Sequence, residues 1–491
     1  MSLKDTKQDV NCISIDLFKN NCSFFICVLV DIANKIINDG IFPDCLKHGV
    51  VVPVFKKGER NKLCNYRPIA LLHFLSKVFE RCIFTRLTKY ATEYNILTPQ
   101  QFGFTNGKST QDAIISLTER IYECFNNNDL CLNVFIDLQK AFDTISHKIL
   151  LGKLELYGIK NVPNLLIKNY LSNRTQSVRI NNITSDPLAI NIGLPQGSVL
   201  GPLLFLFFIN DLPNISDKFK CILFADDTTI SFTSNSLETL TTMCNVELQK
   251  VYTWTLANRL SINLGKNKTF SILHTYKNFD VSTLNLKINN VKIDNYDHGP
   301  FLGVEIDSKL KFRDHIDTIC NKISRSIGIM YKLKNFVPTV VLKQIYYSLV
   351  YPYLNYCICI YGGTYNVHMN RLVILQKRIV RLICNAPFLA HTSNLFHDLK
   401  FLKICDIYKY TIGIYMYAKP DYRNSFDRNH DHSTRNRSTL RPVRPRLTVC
   451  ENSLSVVGPN IWNSIPDSIR NCISRDSFKF RFKQYLIELY I

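Results

Sequence analysis

The sequence predicts an α+β protein whose C-terminal part is mainly helical. Three observations carry this prediction. Short runs of strand-forming residues recur through the N-terminal half. Longer stretches carry apolar residues at helical spacing. The two kinds are mixed, and the helical stretches are uneven in size.

Taken in order, the chain up to Gly40-Ile-Phe-Pro43 reads as a helix-rich lead-in. Residues 49–55 (GVVVPVF) form an apolar run, followed by the basic turn Lys56-Lys57-Gly58. Within 71–90, Leu71, Leu75, Val78, Phe79, Ile83 and Leu87 fall near helical spacing. Residues 132–138 (LNVFIDL) are strand-like. Residues 146–157 read as a helix, with Ile149, Leu150, Leu154 and Tyr157 on one side and Gly158 as its stop. Residues 221–232 read as two strands about a tight turn, and helices are expected over 235–265 and 311–350. In the latter, Ile316, Ile323, Ile327 and Tyr331 share a face. Composition changes near residue 420: 421–447 is rich in Asn, Arg, Ser and Pro, includes Arg435, Arg437, Arg441, Arg444 and Arg446, and reads as a linker or exposed loop. Apolar residues then return, with Trp462 and a basic helical tail over 478–487.

A chain of 491 residues suggests about three domains. A hydrophobic content of 46% excludes global disorder. The 60 Lys and Arg outnumber the 39 Asp and Glu, and a formal charge of +21 points to a polyanionic partner, nucleic acid or an acidic membrane face. The run SFFICVLV at 23–30 sits too deep for a signal peptide. It is also far shorter than the roughly 20 residues of a membrane span. The run 199–209 is short too and is interrupted by Gly201 and Pro202. The 17 cysteines follow no disulfide spacing, so an intracellular protein with reduced thiols is expected, in nucleus or cytoplasm.

The stretch CILFADDTTISF (221–232) sets two carboxylates inside a strand-like run. Aspartate is depleted in strands and adjacent like charges repel. A turn at Asp226-Asp227 accommodates both, either as an ordinary Asp-rich hairpin or as part of a divalent-metal site. Asp137, at the end of VFIDL, is the candidate third ligand, provided its strand lies beside that of Asp227. Three such carboxylates hold two Mg²⁺ about 4 Å apart, one activating a 3′-hydroxyl and one stabilising the leaving pyrophosphate.

Seven blocks then fall in a fixed order: NYRPIALL (65–72), QFGF (101–104) with GKST (107–110), FIDLQKAFD (135–143), GLPQGSVLGP (193–202), FADD (224–227), LSIN (260–263) with Lys266, and FLGV (301–304). In this order they resemble the reverse transcriptases of non-long-terminal-repeat, jockey-like retrotransposons. The block VGPNIWNSIP (457–466) resembles the tail that follows the polymerase in such elements. The resemblance implies a right-hand polymerase fold: fingers, a palm with an antiparallel sheet, and a helical thumb, here with a mainly helical C-terminal extension. The implied division is a lead-in over 1–48, fingers and palm over 49–307, a thumb-like region over 308–390, and a basic C-terminal region over 391–491.

By the same resemblance, Asp137, Asp226 and Asp227 are the catalytic, metal-holding carboxylates, for Mg²⁺ or alternatively Mn²⁺. Phe142 lies beneath the sugar and selects deoxynucleotides. Gln196, Gly197 and Ser198 line the nucleotide and template pocket. Arg67 and Lys77 face the template or triphosphate, and Lys266, with Lys268 as its near alternative, approaches the triphosphate. Many relatives carry Arg where this chain has Thr105, and Lys108 is the nearby candidate for that charge. Asp143 is read as a cap or turn residue. Outside this set, Cys384, His391, His397 and Cys405 are zinc-capable residue types in an unfamiliar spacing, and core cysteines and histidines are the commoner reading. Cys357 and Cys359 read as core.

The expected function is RNA-directed DNA polymerisation with an RNA template, a DNA primer and deoxynucleoside triphosphates, and no membrane. The alternatives are a catalytically decayed remnant that only binds nucleic acid, and an intron-encoded maturase. The lead-in is too short for the endonuclease that precedes the polymerase in many such elements.

Overall fold

The computed structural model describes residues 15–56, 58–265, 268–277, 279, 283–426 and 439–490. Helices α1 (Ile15–Asn20) and α2 (Cys22–Asp39) lead into β1 (His48–Phe55) and β2 (Tyr66–Leu72), an antiparallel pair. Next come α3 (Phe74–Glu93), α4 (Thr110–Asn127), β3 (Leu130–Asp137), α5 (His147–Leu156) and α6 (Asn161–Leu171). Strand β4 (Arg174–Ile180) runs parallel to β1 and carries the short β5 (Ile183–Thr184) and β6 (Leu188–Ile190). Helix α7 (Leu200–Ile209) precedes the hairpin of β7 (Lys220–Phe224) and β8 (Asp227–Ser234), then α8 (Leu237–Ala257) and β9 (Phe270–His274). Short strands follow: β10 (Lys287–Ile288), β11 (Val291–Lys292), β12 (Asp294–Asn295), β13 (His298–Phe301) and β14 (Val304–Asp307).

Every later described element is helical. These are α9 (Arg313–Leu333), α10 (Thr339–Leu349), α11 (Tyr351–Asn355), α12 (Ile358–Tyr361), α13 (Asn366–Ile383) and α14 (Ser393–Leu399). They continue with α15 (Ile404–Ala418), α16 (Pro420–Asn424), α17 (Leu454–Ser464), α18 (Asp467–Arg470) and α19 (Arg475–Glu488). The α+β class with a helical C-terminal part therefore holds.

Strand β3 is the centre of the sheet β12-β9-β3-β8-β7 and is buried along nearly its whole length. Because side chains alternate across a strand, its residues divide between two cores. Leu130, Leu132, Val134 and Ile136 face a core shared with α3, α5, α6, α7 and α8. Cys131 and Phe135 face a second core shared with α4 and the helices from α9 to α19. Helix α7 (LGPLLFLFFI) is apolar all round, as a helix enclosed on every side must be, and all its residues but Pro202 are buried. Pro202 falls in its first turn, where the missing N–H costs no helical hydrogen bond.

Several element boundaries differ from the sequence reading. Leu71 belongs to β2, opposite Val50, and α3 begins at Phe74 behind His73, whose Nδ1 accepts from Leu75 N. The helix expected over 235–265 stops at Ala257, because the following residues pair with the chain just beyond β3. The stretch 311–350 is two helices, α9 and α10, separated ahead of Pro338, a residue that disfavours helix at the position before it. On α9 the buried face passes from Ile323 and Ile327 to Met330, and Tyr331 is 62% exposed. Seven residues from Ile323 bring Met330 within about 20° of two full turns, whereas Tyr331 lies about 80° round. Of the segment read as a linker, Arg435 and Arg437 lie outside the described residues. The described part, 439–447, is anchored: Leu440 is buried, its N–H donates to Asn463 Oδ1 (2.9 Å), and Arg446 Nη2 donates to Phe125 O (2.8 Å). Cys357 and Cys359 are buried, as read.

Candidate active site

Strand β3 ends at Asp137, and the antiparallel register sets it opposite Asp227, the first residue of β8. Phe224 pairs with Asp227, so only Ala225 and Asp226 form the β7–β8 turn. Strand pairing thus brings three acids, distant in the chain, to one end of the sheet. Ala225 takes a left-handed φ of 55°, a conformation unusual for a residue with a side chain. The QFGF block holds it there. Leu223 N donates to Gln100 O (3.0 Å) and Phe102 N donates to Leu223 O (2.8 Å). The buried Gln101 Oε1 accepts from Gly103 N (2.9 Å) and Ala225 N (3.3 Å). A Cβ on Gly103 would stand 2.4 Å from Ala225 N, so glycine is required for this close approach.

The carboxylates also repel one another. Burial pushes the Asp227 carboxyl up to about 6, and the charges of Asp226 and Asp137 add to the rise, while Lys56 just past β1 opposes it. Asp137 is held from the other side. Asn263 Nδ2 donates to its Oδ2 (2.9 Å), and Lys268 Nζ stands 3.5 Å from the same oxygen. Asn263 is delivered by backbone pairing beyond β3: Gln139 N donates to Ser261 O (2.8 Å), and Asn263 N donates to Asp137 O (2.8 Å).

The GLPQGS loop docks on the turn after Asp137. Leu194 N donates to Phe142 O (2.7 Å), and Gln196 Nε2 donates to Asp143 Oδ1 (2.7 Å). Phe142 stacks on Phe205 of α7 at 4.5 Å. On its far side the loop meets β2: Ala70 N donates to Gln196 O (2.7 Å). Gly197, at φ +122°, passes so close that a Cβ there would stand 2.5 Å from Ala70 O. Ser198 is buried, its hydroxyl donating to Pro195 O (2.9 Å) and accepting from Gly201 N (3.0 Å).

The predicted cations are spread over separate parts of the chain. Arg67 is exposed on β2, opposite Val54, and Lys77 is half-buried in the first turn of α3. Lys108 Nζ donates to the carbonyls of Pro99 and Gln101 and lies 4.9 Å from the Phe102 ring centre, so it braces the QFGF block from behind. Burial, and then the charge of Lys419, hold its pKa below the usual lysine value. Lys266 lies outside the described residues. Lys56 and Asn263 are the site residues that sequence reading missed, although each sits in a stretch already singled out, the basic turn and the LSIN block.

Among the described residues no three His, Cys, Asp or Glu side chains close on a common point as metal ligands. This covers the zinc-capable set as well; His397 Nδ1 lies 3.5 Å from Asp398 Oδ1. The donor set at the sheet end still suits a hard divalent cation. It is all carboxylate oxygen, and its mutual repulsion is what such a cation relieves. An apolar cavity of about 240 Å³ elsewhere is lined by Ile37, Ile83, Leu87 and Leu166 among others, and by none of these residues. Among the described residues no helix is long and apolar enough to cross a membrane.

The sequence profile of the family described as reverse transcriptase (RNA-dependent DNA polymerase) matches residues 54–306, just over half of the chain. The probable RNA-directed DNA polymerase from transposon BS of Drosophila melanogaster is 31% identical over 385 residues, 75% of this chain and 42% of that protein. The RNA-directed DNA polymerase from mobile element jockey of the same species is 28% identical over 386 residues, 76% of this chain and 42% of its own. The chain thus spans less than half the length of these curated relatives. An apo telomerase from Candida Tropicalis overlaps 83% of this chain and 72% of its own at a TM-score of 0.39 and 10% identity, too distant to carry an argument. The matched segment holds Asp137, Asp226 and Asp227, and the chain belongs to the reverse transcriptase family, of the kind found in non-long-terminal-repeat retrotransposons.

Proposed function

We propose that this chain is an RNA-directed DNA polymerase that extends a DNA primer on an RNA template. The observation that carries the proposal is the register of Asp137 against Asp227, with Asp226 in the turn between β7 and β8. In this reading Asp137, Asp226 and Asp227 hold divalent metal, Mg²⁺ or Mn²⁺. When bound, the metal lowers the pKa of the primer 3′-hydroxyl and offsets charge on the leaving pyrophosphate. Asn263 fixes the orientation of the Asp137 carboxylate, and Lys268 offsets its charge. Phe142 lies beneath the deoxyribose and excludes a 2′-hydroxyl. Gln196, Gly197 and Ser198 line the nucleotide pocket. Arg67, Lys77 and Lys56 offset phosphate charge. The 3′-hydroxyl attacks the α-phosphate of the deoxynucleotide, the new phosphodiester forms, and pyrophosphate leaves.

The same reading assigns 49–307 to fingers and palm, 308–390 to a thumb, and 391–491 to a basic extension. The net charge of +21 serves the backbone of a template–primer hybrid. Retention of all three acids and of the Gln196-Gly197-Ser198 loop counts against the decayed alternative. Purified protein given poly(rA), oligo(dT), dTTP and Mg²⁺ extends the primer, and Asp226→Ala abolishes extension. A wild type that incorporates nothing, or an Asp226→Ala variant that matches it, rejects the proposal.

A further inference from the structure

We propose that Glu80, on α3, is a positioning residue that fixes the Gln196-Gly197-Ser198 loop by capping the helix behind it. The inference rests on the reading that this loop lines the nucleotide pocket. Glu80 is fully buried. Its Oε2 accepts from Val199 N (2.6 Å) and Leu200 N (3.2 Å), and its Oε1 accepts from Ser76 Oγ (2.8 Å). Those two amides open α7 and have no partner within their own helix. A helix usually receives its cap from the residue just before it. Here Ser198 Oγ caps only the Gly201 amide, and the Val199 and Leu200 amides are taken by a carboxyl from another helix.

The arrangement divides the work along the loop. Its upstream end is fastened to the Asp137 strand by Phe142 and Asp143, and its middle to β2 by Ala70. Its downstream end is fastened by the Glu80 carboxyl. A carboxylate suits a helix N-terminus, where the backbone dipoles favour negative charge. Burial raises its pKa, while the Ser76 hydroxyl, the two amides and the nearby Arg174 charge favour the ionised form. Arg174 is itself buried, with Nη1 donating to Tyr170 O (3.2 Å) and its guanidinium 4.9 Å from the Tyr170 ring centre. Glu80, Ser76, Arg174 and Tyr170 thus form a polar cluster behind the loop, enclosed by apolar core. A buried carboxyl so placed carries a desolvation cost that a leucine would avoid. Holding one loop conformation supplies the return.

The test is steady-state primer extension by the full chain, varying dTTP and template–primer separately. Glu80→Met keeps the length of the side chain but removes the acceptor, so the Val199 and Leu200 amides lose their partner. It raises the KM for dTTP about 10-fold or more, with the KM for template–primer within about 2-fold. Ser76→Ala removes one support of the same carboxylate, folds like the wild type, and raises the dTTP KM about 3-fold. Gln196→Ala is the reference, because it alters the loop itself. If Gln196→Ala raises the dTTP KM while Glu80→Met and Ser76→Ala lower only the melting temperature, Glu80 is merely structural and the inference is overturned, the loop reading standing. If Gln196→Ala also leaves the dTTP KM unchanged, the loop reading itself fails.

Discussion

Asp227 bears the electrostatic cost of the site, and its titration is the most direct residue-scale prediction. Its carboxyl rises from an ordinary 3.8 to about 6 on folding. Between those values the folded state keeps a proton that the unfolded chain has released. Stability of the metal-free protein therefore falls as pH rises from about 4 through 6 and stays lower above. A divalent cation competes with that proton, so Mg²⁺ stabilises the fold more at about pH 7.5 than at about pH 5. Melting temperatures of wild type and Asp227→Asn across this range, with and without Mg²⁺, check both statements; parallel curves for the two proteins refute them. Asn263→Ala frees the Asp137 carboxylate and lowers kcat about 10–100-fold, as loss of a ligand's supporting hydrogen bond does. An unchanged kcat assigns Asn263 to the strand pairing alone. The three acids were legible because aspartate in an apolar run is an anomaly. Asn263 and Lys56 were not, because an exposed lysine or a loop asparagine is ordinary until something is set opposite it.

At the scale of elements, the β7–β8 hairpin and its QFGF brace form one unit. Gly103→Ala drives a methyl into the backbone of Phe224 and Ala225, at 2.9 and 2.4 Å. Overpacking of this kind costs about 1–3 kcal/mol, and here it displaces the turn that carries Asp226. Chemical denaturation and primer extension should show both losses; full activity in Gly103→Ala would mean that the turn tolerates the shift. The hairpin was readable from CILFADDTTISF, since apolar runs flank a turn-forming pair. The end of α8 was not. Residues 260–263 keep apolar residues at plausible spacing, and only the open edge beyond β3 draws them into extended pairing. Lys108 shows the same limit: nothing in its motif tells that the carbonyls of Pro99 and Gln101 accept from its ammonium.

At the scale of the molecule, β3 joins two cores, and the C-terminal helices are part of one of them. They close over α4. The half-buried Glu119 accepts from Leu454 N (2.6 Å) and Ser455 N (3.1 Å) at the start of α17, and Lys419 Nζ stands 3.2 Å from Asp112 Oδ1. Glu119→Ala leaves those amides unpaired and costs about 1–3 kcal/mol, measurable by urea unfolding. Removal of 391–491 strips the cover from α4 and exposes the apolar side chains of Ile114, Leu117 and Ile121. That truncated chain aggregates or loses its cooperative transition; a soluble, fully active 1–390 would show the extension to be dispensable.

The order of the seven blocks, the basic charge and the identity of the three acids are properties of the sequence alone. Motif order and composition survive any rearrangement in space, so one chain suffices to read them. Which groups face Asp137, that Glu80 caps a helix far along the chain, and that the C-terminal region shares a core with the segment matched by the family were decided by tertiary structure. Each depends on strand register and on which faces are buried together, and those are settled only when the whole chain packs.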